Sequence, residues 1–199
     1  MTLLADDVGL GKTVSAGLIA SELISRKRIT KGLLIVCPKL LGPQSREELQ
    51  TKFNIPAQIA IGKDLLEAEP EDDAGAVITT YHSARLYIHR LPPHRFQMLI
   101  PDEAHKLRNL YGAEKPPKVA VRFRQVLADR MFMYVLMLTA TPIQNRLWDL
   151  YSLVDLLTAA RGHENPFGGT GLFKRNFIAD TAERARHLRP EMRAESRYL

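Results

Sequence analysis

The chain has 199 residues, 45% hydrophobic and 25% charged, with 28 Lys and Arg against 22 Asp and Glu for a formal net charge of +6. That length holds one globular domain with a real core and an appendage, and it leaves no room for two full domains. No apolar run approaches the roughly 20 residues that cross a bilayer, and Met1-Thr2-Leu3-Leu4-Ala5-Asp6 lacks the parts of a signal peptide, so the sequence predicts a cytoplasmic protein without a membrane partner.

Taken in chain order, the predicted elements alternate. A brief strand over 2–5 leads into Asp6-Asp7-Val8-Gly9-Leu10-Gly11-Lys12-Thr13 and a helix over 13–28. The run Leu33-Leu34-Ile35-Val36-Cys37 predicts a strand closed by Pro38, followed by a helix over 40–52. The acidic stretch over 67–73 predicts a solvated loop. Strands over 76–79, 96–100 and 133–138 alternate with helices over 83–89, 118–130 and 147–157. Apolar runs without polar alternation fit strands covered on both faces, so the fold class is α/β: a parallel sheet flanked by helices on both faces. After Leu157 the pattern decays into a mostly helical extension over 161–199, where 8 basic residues face 5 acidic ones. Cys37 is the single cysteine, which excludes an internal disulfide and predicts a buried strand thiol. The basic balance suits a polyphosphate partner, and solubility accounts for it equally well.

In such sheets ligands lie beyond the carboxyl ends of the strands, and three polar turns fall there. Gly9 and Gly11 let the backbone approach phosphate oxygens, with the N–H groups of the following helix aimed at them. Lys12 would bridge the β- and γ-phosphates, and the Thr13 hydroxyl would be a ligand to Mg²⁺. Asp7, Val8, Gly9, Leu10, Gly11, Lys12 and Thr13 thus form the candidate nucleotide loop. Asp102, just past the strand over 96–100, is suited to hold Mg²⁺, and Glu103 to orient or deprotonate an attacking water. The candidate catalytic residues are Lys12, Asp102 and Glu103, and the candidate metal ligands are Thr13 and Asp102. His105, Thr139 and Thr141 are candidate coupling residues, although Thr139 and Thr141 fit a turn-capping role as well.

These motifs carry a resemblance. Asp6 to Thr13, Leu34-Ile35-Val36-Cys37-Pro38, Asp102-Glu103-Ala104-His105-Lys106-Leu107-Arg108-Asn109 and Leu138-Thr139-Ala140-Thr141-Pro142-Ile143-Gln144-Asn145 are similar to motifs I, Ia, II and III of the superfamily-two helicase core. The wording resembles the Swi/Snf-type ATPases, RapA-like bacterial members included, a branch in which Asp at the first loop position is usual. The resemblance covers roughly residues 1–160. It implies a RecA-like lobe that binds ATP and Mg²⁺ in a motor tracking along double-stranded DNA. It also implies nucleic-acid contacts at Lys39, Gln44 and Thr80, whose donor side chains suit phosphate oxygens. A second RecA-like lobe would complete the motor and supply an arginine finger, while the sequence leaves open whether the remodelled target is RNA polymerase, nucleoprotein or a defence target. Trp148 and Tyr151 fit either base stacking or packing, and the stretch over 184–197 either a DNA contact or a solvated helix face.

Overall fold

The computed structural model describes residues 1–6, 11–71, 74–111, 114–143 and 146–178. Six parallel strands form one sheet: β1 Thr2–Ala5, β2 Leu33–Cys37, β3 Ala57–Ile59, β4 Ala76–Thr80, β5 Met98–Pro101 and β6 Tyr134–Thr139, in the spatial order β1-β6-β5-β2-β4-β3. The central strands β2 and β5 are buried at every position, as their uninterrupted apolar sequences require. Edge strand β3 is the one the sequence did not announce. Three residues are too few to show a period of two.

The helices are α1 Lys12–Ser25, α2 Gly42–Phe53, α3 Tyr81–Tyr87, α4 Lys118–Ala128, α5 Leu147–Ala159 and α6 Thr170–Phe173, the last running into a π turn at Lys174–Ile178. Pro43 sits in the first turn of α2, where its missing N–H costs nothing, and Asn54 ends that helix in the left-handed region at φ 52°. Alternating side chains then build two cores. Leu33, Ile35, Cys37, Ile78, Ile100 and Leu138 meet Ala16 and Ala20 of α1 and Leu49 of α2. Leu34, Val36, Val77, Leu99 and Met137 meet Ala84 of α3, Phe123 of α4 and Leu153 of α5. Each fully buried aliphatic or aromatic side chain stabilises the sheet by about 1.5–3 kcal/mol.

The segment after α5 packs back on the lobe. The Trp148 ring lies 5.4 Å from Tyr151 and 5.0 Å from Phe173, and Tyr151 lies 4.5 Å from Phe173. Tyr151 also donates to the Gly168 carbonyl at 2.8 Å, and Asn165 Nδ2 donates to the Tyr151 carbonyl at 3.2 Å. Trp148 and Tyr151 are therefore packing residues, and their partner is the extension. The stretch over 184–197 lies outside the described residues. Among the described residues no helix is long and apolar enough to cross a membrane.

Candidate nucleotide site

Gly11 stands just before α1 with φ 78°, a left-handed conformation that glycine adopts without a Cβ penalty. Its carbonyl accepts the first helical bond, from Ser15 N at 2.9 Å. Lys12 and Thr13 open α1, so their N–H groups lie in the first turn, where a helix has no internal acceptors and carries partial positive charge. The Lys12 ammonium donates to the Asp6 carbonyl at 3.0 Å, and Asp6 N donates to the Thr139 carbonyl at 3.2 Å, extending the β1–β6 ladder. The start of α1 is thereby tied to the end of β6. Asp7, Val8, Gly9 and Leu10 lie outside the described residues.

Asp102 follows β5 directly. Its N–H donates to the Val36 carbonyl at 2.8 Å and its carbonyl accepts from the Tyr81 hydroxyl at 2.7 Å, so both backbone groups are fixed. Strand alternation puts Asp102 on the same side as Ile100, which packs in the core under α1 and α2. The carboxylate consequently faces α1. Thr13, Ser45 and Asp102 line one small cavity of about 20 Å³, enough for about one water. Burial, the largest influence, pushes the Asp102 carboxyl above the ordinary carboxylate range. The N–H of Glu103, 2.9 Å from Asp102 Oδ1, and the charge of Lys12 pull the other way.

Glu103 turns the chain at φ 56° into a short 3₁₀ turn, Ala104–Leu107. A non-glycine residue in that region is uncommon and costs on the order of 1 kcal/mol. Here it brings Glu103 Oε2 within 3.0 Å of His105 Nδ1. Burial is the main reason the His105 imidazole titrates below its ordinary value, with Glu103 opposing it. Thr139 is fully buried and its hydroxyl accepts from Thr141 N at 3.2 Å, a local turn bond; Thr141 itself is exposed. Gln144 and Asn145 lie outside the described residues.

A hydroxyl and a carboxylate on adjacent elements are hard oxygen donors of the kind Mg²⁺ takes, and a buried carboxylate is stabilised by a cation. Among the described residues no group of three or more His, Cys, Asp or Glu is placed to hold a metal. Mg²⁺ keeps waters and substrate phosphates and needs only one or two protein ligands, and Thr13 with Asp102 supplies two. The residues present fit the ion.

The other candidates separate. Lys39 and Thr80 line a common groove of about 470 Å³ with His82 and Lys106, because the ends of β2 and β4 are paired, Cys37 opposite Thr80. The Thr80 hydroxyl is already engaged, accepting from Ser83 N at 3.1 Å to cap α3. Gln44 does not join this groove; its side chain donates to Glu48 Oε1 on α2 at 3.2 Å. Sequence reasoning placed the Thr79-Thr80-Tyr81 turn toward the nucleic acid but passed over Lys106 as a lining residue and the bond from Tyr81 to Asp102. Lys106 had a signal, three residues past Glu103, whereas the contact of Tyr81 depends on tertiary structure alone.

The profile of the SNF2-related domain matches residues 1–197 of the chain. The chain is 36% identical over 171 residues to the uncharacterised ATP-dependent helicase YqhH of Bacillus subtilis, covering 83% of this chain and 28% of that protein. It is 33% identical over 170 residues to the RNA polymerase-associated protein RapA of Vibrio cholerae, covering 81% of this chain and 17% of RapA. The chain thus spans under a third of each relative. Among solved structures, the Sulfolobus solfataricus SWI2/SNF2 ATPase core in complex with double-stranded DNA superposes with a TM-score of 0.64 at 25% identity, over 92% of this chain and 37% of that one. The Pyrococcus furiosus Hef helicase domain shares the fold at a TM-score of 0.56 and 22% identity, over 77% of this chain and 32% of that one.

Proposed function

The chain belongs to the SNF2-related domain family, and from that premise we propose that it is the first, RecA-like ATPase lobe of a motor that moves along double-stranded DNA. One observation supports this most: Thr13 and Asp102 line the same small cavity, with the Lys12 charge acting on Asp102. In this reading the backbone of Asp7 to Thr13 cradles the triphosphate as a P-loop, and Lys12 bridges its β- and γ-phosphates. Thr13 and Asp102 hold Mg²⁺, which when bound offsets charge on the phosphates. Glu103, in its DEAH-type turn, orients the attacking water and accepts its proton. His105, in contact with Glu103, and Thr139 and Thr141, tied through Asp6 to Lys12, carry the nucleotide state toward the rest of the motor.

Lys39, Thr80 and Lys106 face the DNA backbone in this account, as phosphate contacts that position without reading sequence. Gln44 would contact phosphate only by releasing Glu48. Residues 1–160 form the lobe and 161–199 an extension. A second lobe completes the site and supplies the arginine finger. Without that finger, turnover in comparable phosphoryl-transfer sites falls by about 10³–10⁵. The chain alone would then bind Mg-ATP and hydrolyse it negligibly. The cargo of the whole motor is nucleoprotein or RNA polymerase, the latter suggested by the RapA relative.

The test is retention of labelled ATP on filters by the chain and by Lys12→Ala, with and without Mg²⁺. Mg²⁺-dependent retention lost in the variant supports the reading. Equal retention by both would instead favour a lobe that serves as a non-catalytic DNA- or protein-binding module.

A further inference from the structure

On the face of the sheet away from α1, helices α3 and α4 pack together and leave a groove of about 330 Å³ between them. Its rim is cationic. Arg85 projects from α3, while Lys118 and Arg122, one turn apart on α4, stand on the same side of that helix. Arg122 is steadied by a 2.7 Å bond from its guanidinium to Gln125 Oε1. None of the side chains lining the groove is acidic. Nearby His89 is held below its ordinary range by burial first and then by Arg122 and Arg90, which reports the positive field.

The floor is apolar. Leu86 is 38% exposed and Val121 46% exposed, with Pro116 beside them. A phosphate backbone would satisfy the cations and give nothing to Leu86 and Val121. A purely apolar partner would leave three cations uncompensated. A polypeptide that interleaves carboxylates with aliphatic side chains satisfies both. We propose that the α3–α4 groove docks an acidic amphipathic segment of a partner protein, its carboxylates meeting Arg85, Lys118 and Arg122 and its aliphatic side chains covering Leu86 and Val121. This surface uses no residue of the nucleotide site, so it stands apart from the ATPase reading.

The experiment is fluorescence anisotropy on the full chain with a labelled helical peptide of repeating Glu-Glu-Leu-Leu. The expected result is saturable binding, weakened about tenfold or more by combined Arg85→Glu and Arg122→Glu, since reversing rim charges turns attraction into repulsion. Replacing the peptide leucines by serine weakens it by a similar factor, about tenfold, through lost apolar burial. Arg46→Glu, an exposed change on α2, leaves it unaltered. Should the double reversal melt differently from the parent, Arg85→Gln with Lys118→Gln serves in its place and weakens binding about threefold. Three results overturn the proposal: no saturable binding, equal binding of the leucine-free peptide, or displacement of the peptide by duplex DNA with the same dependence on Arg85 and Arg122. The last would make the groove a nucleic-acid face.

Discussion

The Tyr81 hydroxyl donates a buried 2.7 Å hydrogen bond to the backbone carbonyl of Asp102. Tyr81 opens α3 beside Thr80, and both line the groove that holds Lys39 and Lys106. One side chain therefore joins the wall of the candidate DNA groove to the candidate metal ligand. Tyr81→Phe leaves the ring in its packing against Phe123, 5.8 Å away, and strips the carbonyl of its partner. An unsatisfied buried acceptor costs about 1–3 kcal/mol. Urea unfolding should show that loss, and calorimetry should show weaker Mg-ATP binding; unchanged affinity would detach Tyr81 from the site.

Asp102 itself is expected to trade stability for binding. Its carboxyl titrates higher in the fold than in the unfolded chain, chiefly through burial, so the folded state binds the proton more tightly. The ionised form therefore destabilises the fold above the raised value. The penalty vanishes below the unfolded value near ~3.9. Asp102→Asn should melt higher than the parent at pH 7, lose that advantage in strong acid, and no longer bind ATP in a Mg²⁺-dependent manner. A lower melting temperature at pH 7 would count against a strained, cation-seeking carboxylate.

Cys37 gives a pH prediction of its own. Burial, helped by the Asp102 charge, pushes its thiol up to about 11. An unfolded thiol titrates near ~8.5, so the stability carried by the neutral thiol is complete below that value and is lost between there and about 11. At pH 8 the native chain should react with a disulfide reagent only as fast as it unfolds. Rapid labelling of folded protein would show that the thiol is accessible.

Gly17 lies in mid-helix, where alanine is favoured by about 1 kcal/mol. A Cβ there would collide with the Phe53 ring, so α1 and α2 are close because this residue has no side chain. Gly17→Ala is expected to be net destabilising, by about 1–3 kcal/mol of overpacking. Adding Phe53→Ala should recover part of that loss. Additive thermal-melt shifts for the two changes would mean that the contact is not the cause.

How legible was all this in the chain? Strands β2, β4, β5 and β6 were readable because sheets covered on both faces need unbroken apolar runs, and Val36, Ile78, Leu99 and Met137 supply them. Strand β3 carried no such signal. The meeting of Thr13 and Asp102 follows from strand order and from the period of two that places Asp102 with Ile100. Lys39 and Thr80 come together because paired strands end level with one another. Gln44, only five residues past Lys39, falls elsewhere because the 3₁₀ turn Lys39–Leu41 redirects the chain into α2, where Glu48 is one turn away. The Tyr81 bond and the α3–α4 groove depend on how helices dock, and periodicity within one segment says nothing of that.

The central claim is that the start of α1 and the end of β5 grip one metal triphosphate. Mn²⁺ in place of Mg²⁺ tests it, through paramagnetic broadening of backbone amide resonances in the presence of ATP. The account predicts strong broadening at Thr13, Asp102 and Glu103, little at Val121 on the opposite face, and none in Lys12→Ala. Sharp signals at Thr13 and Asp102, or broadening of only one of the pair, would contradict it.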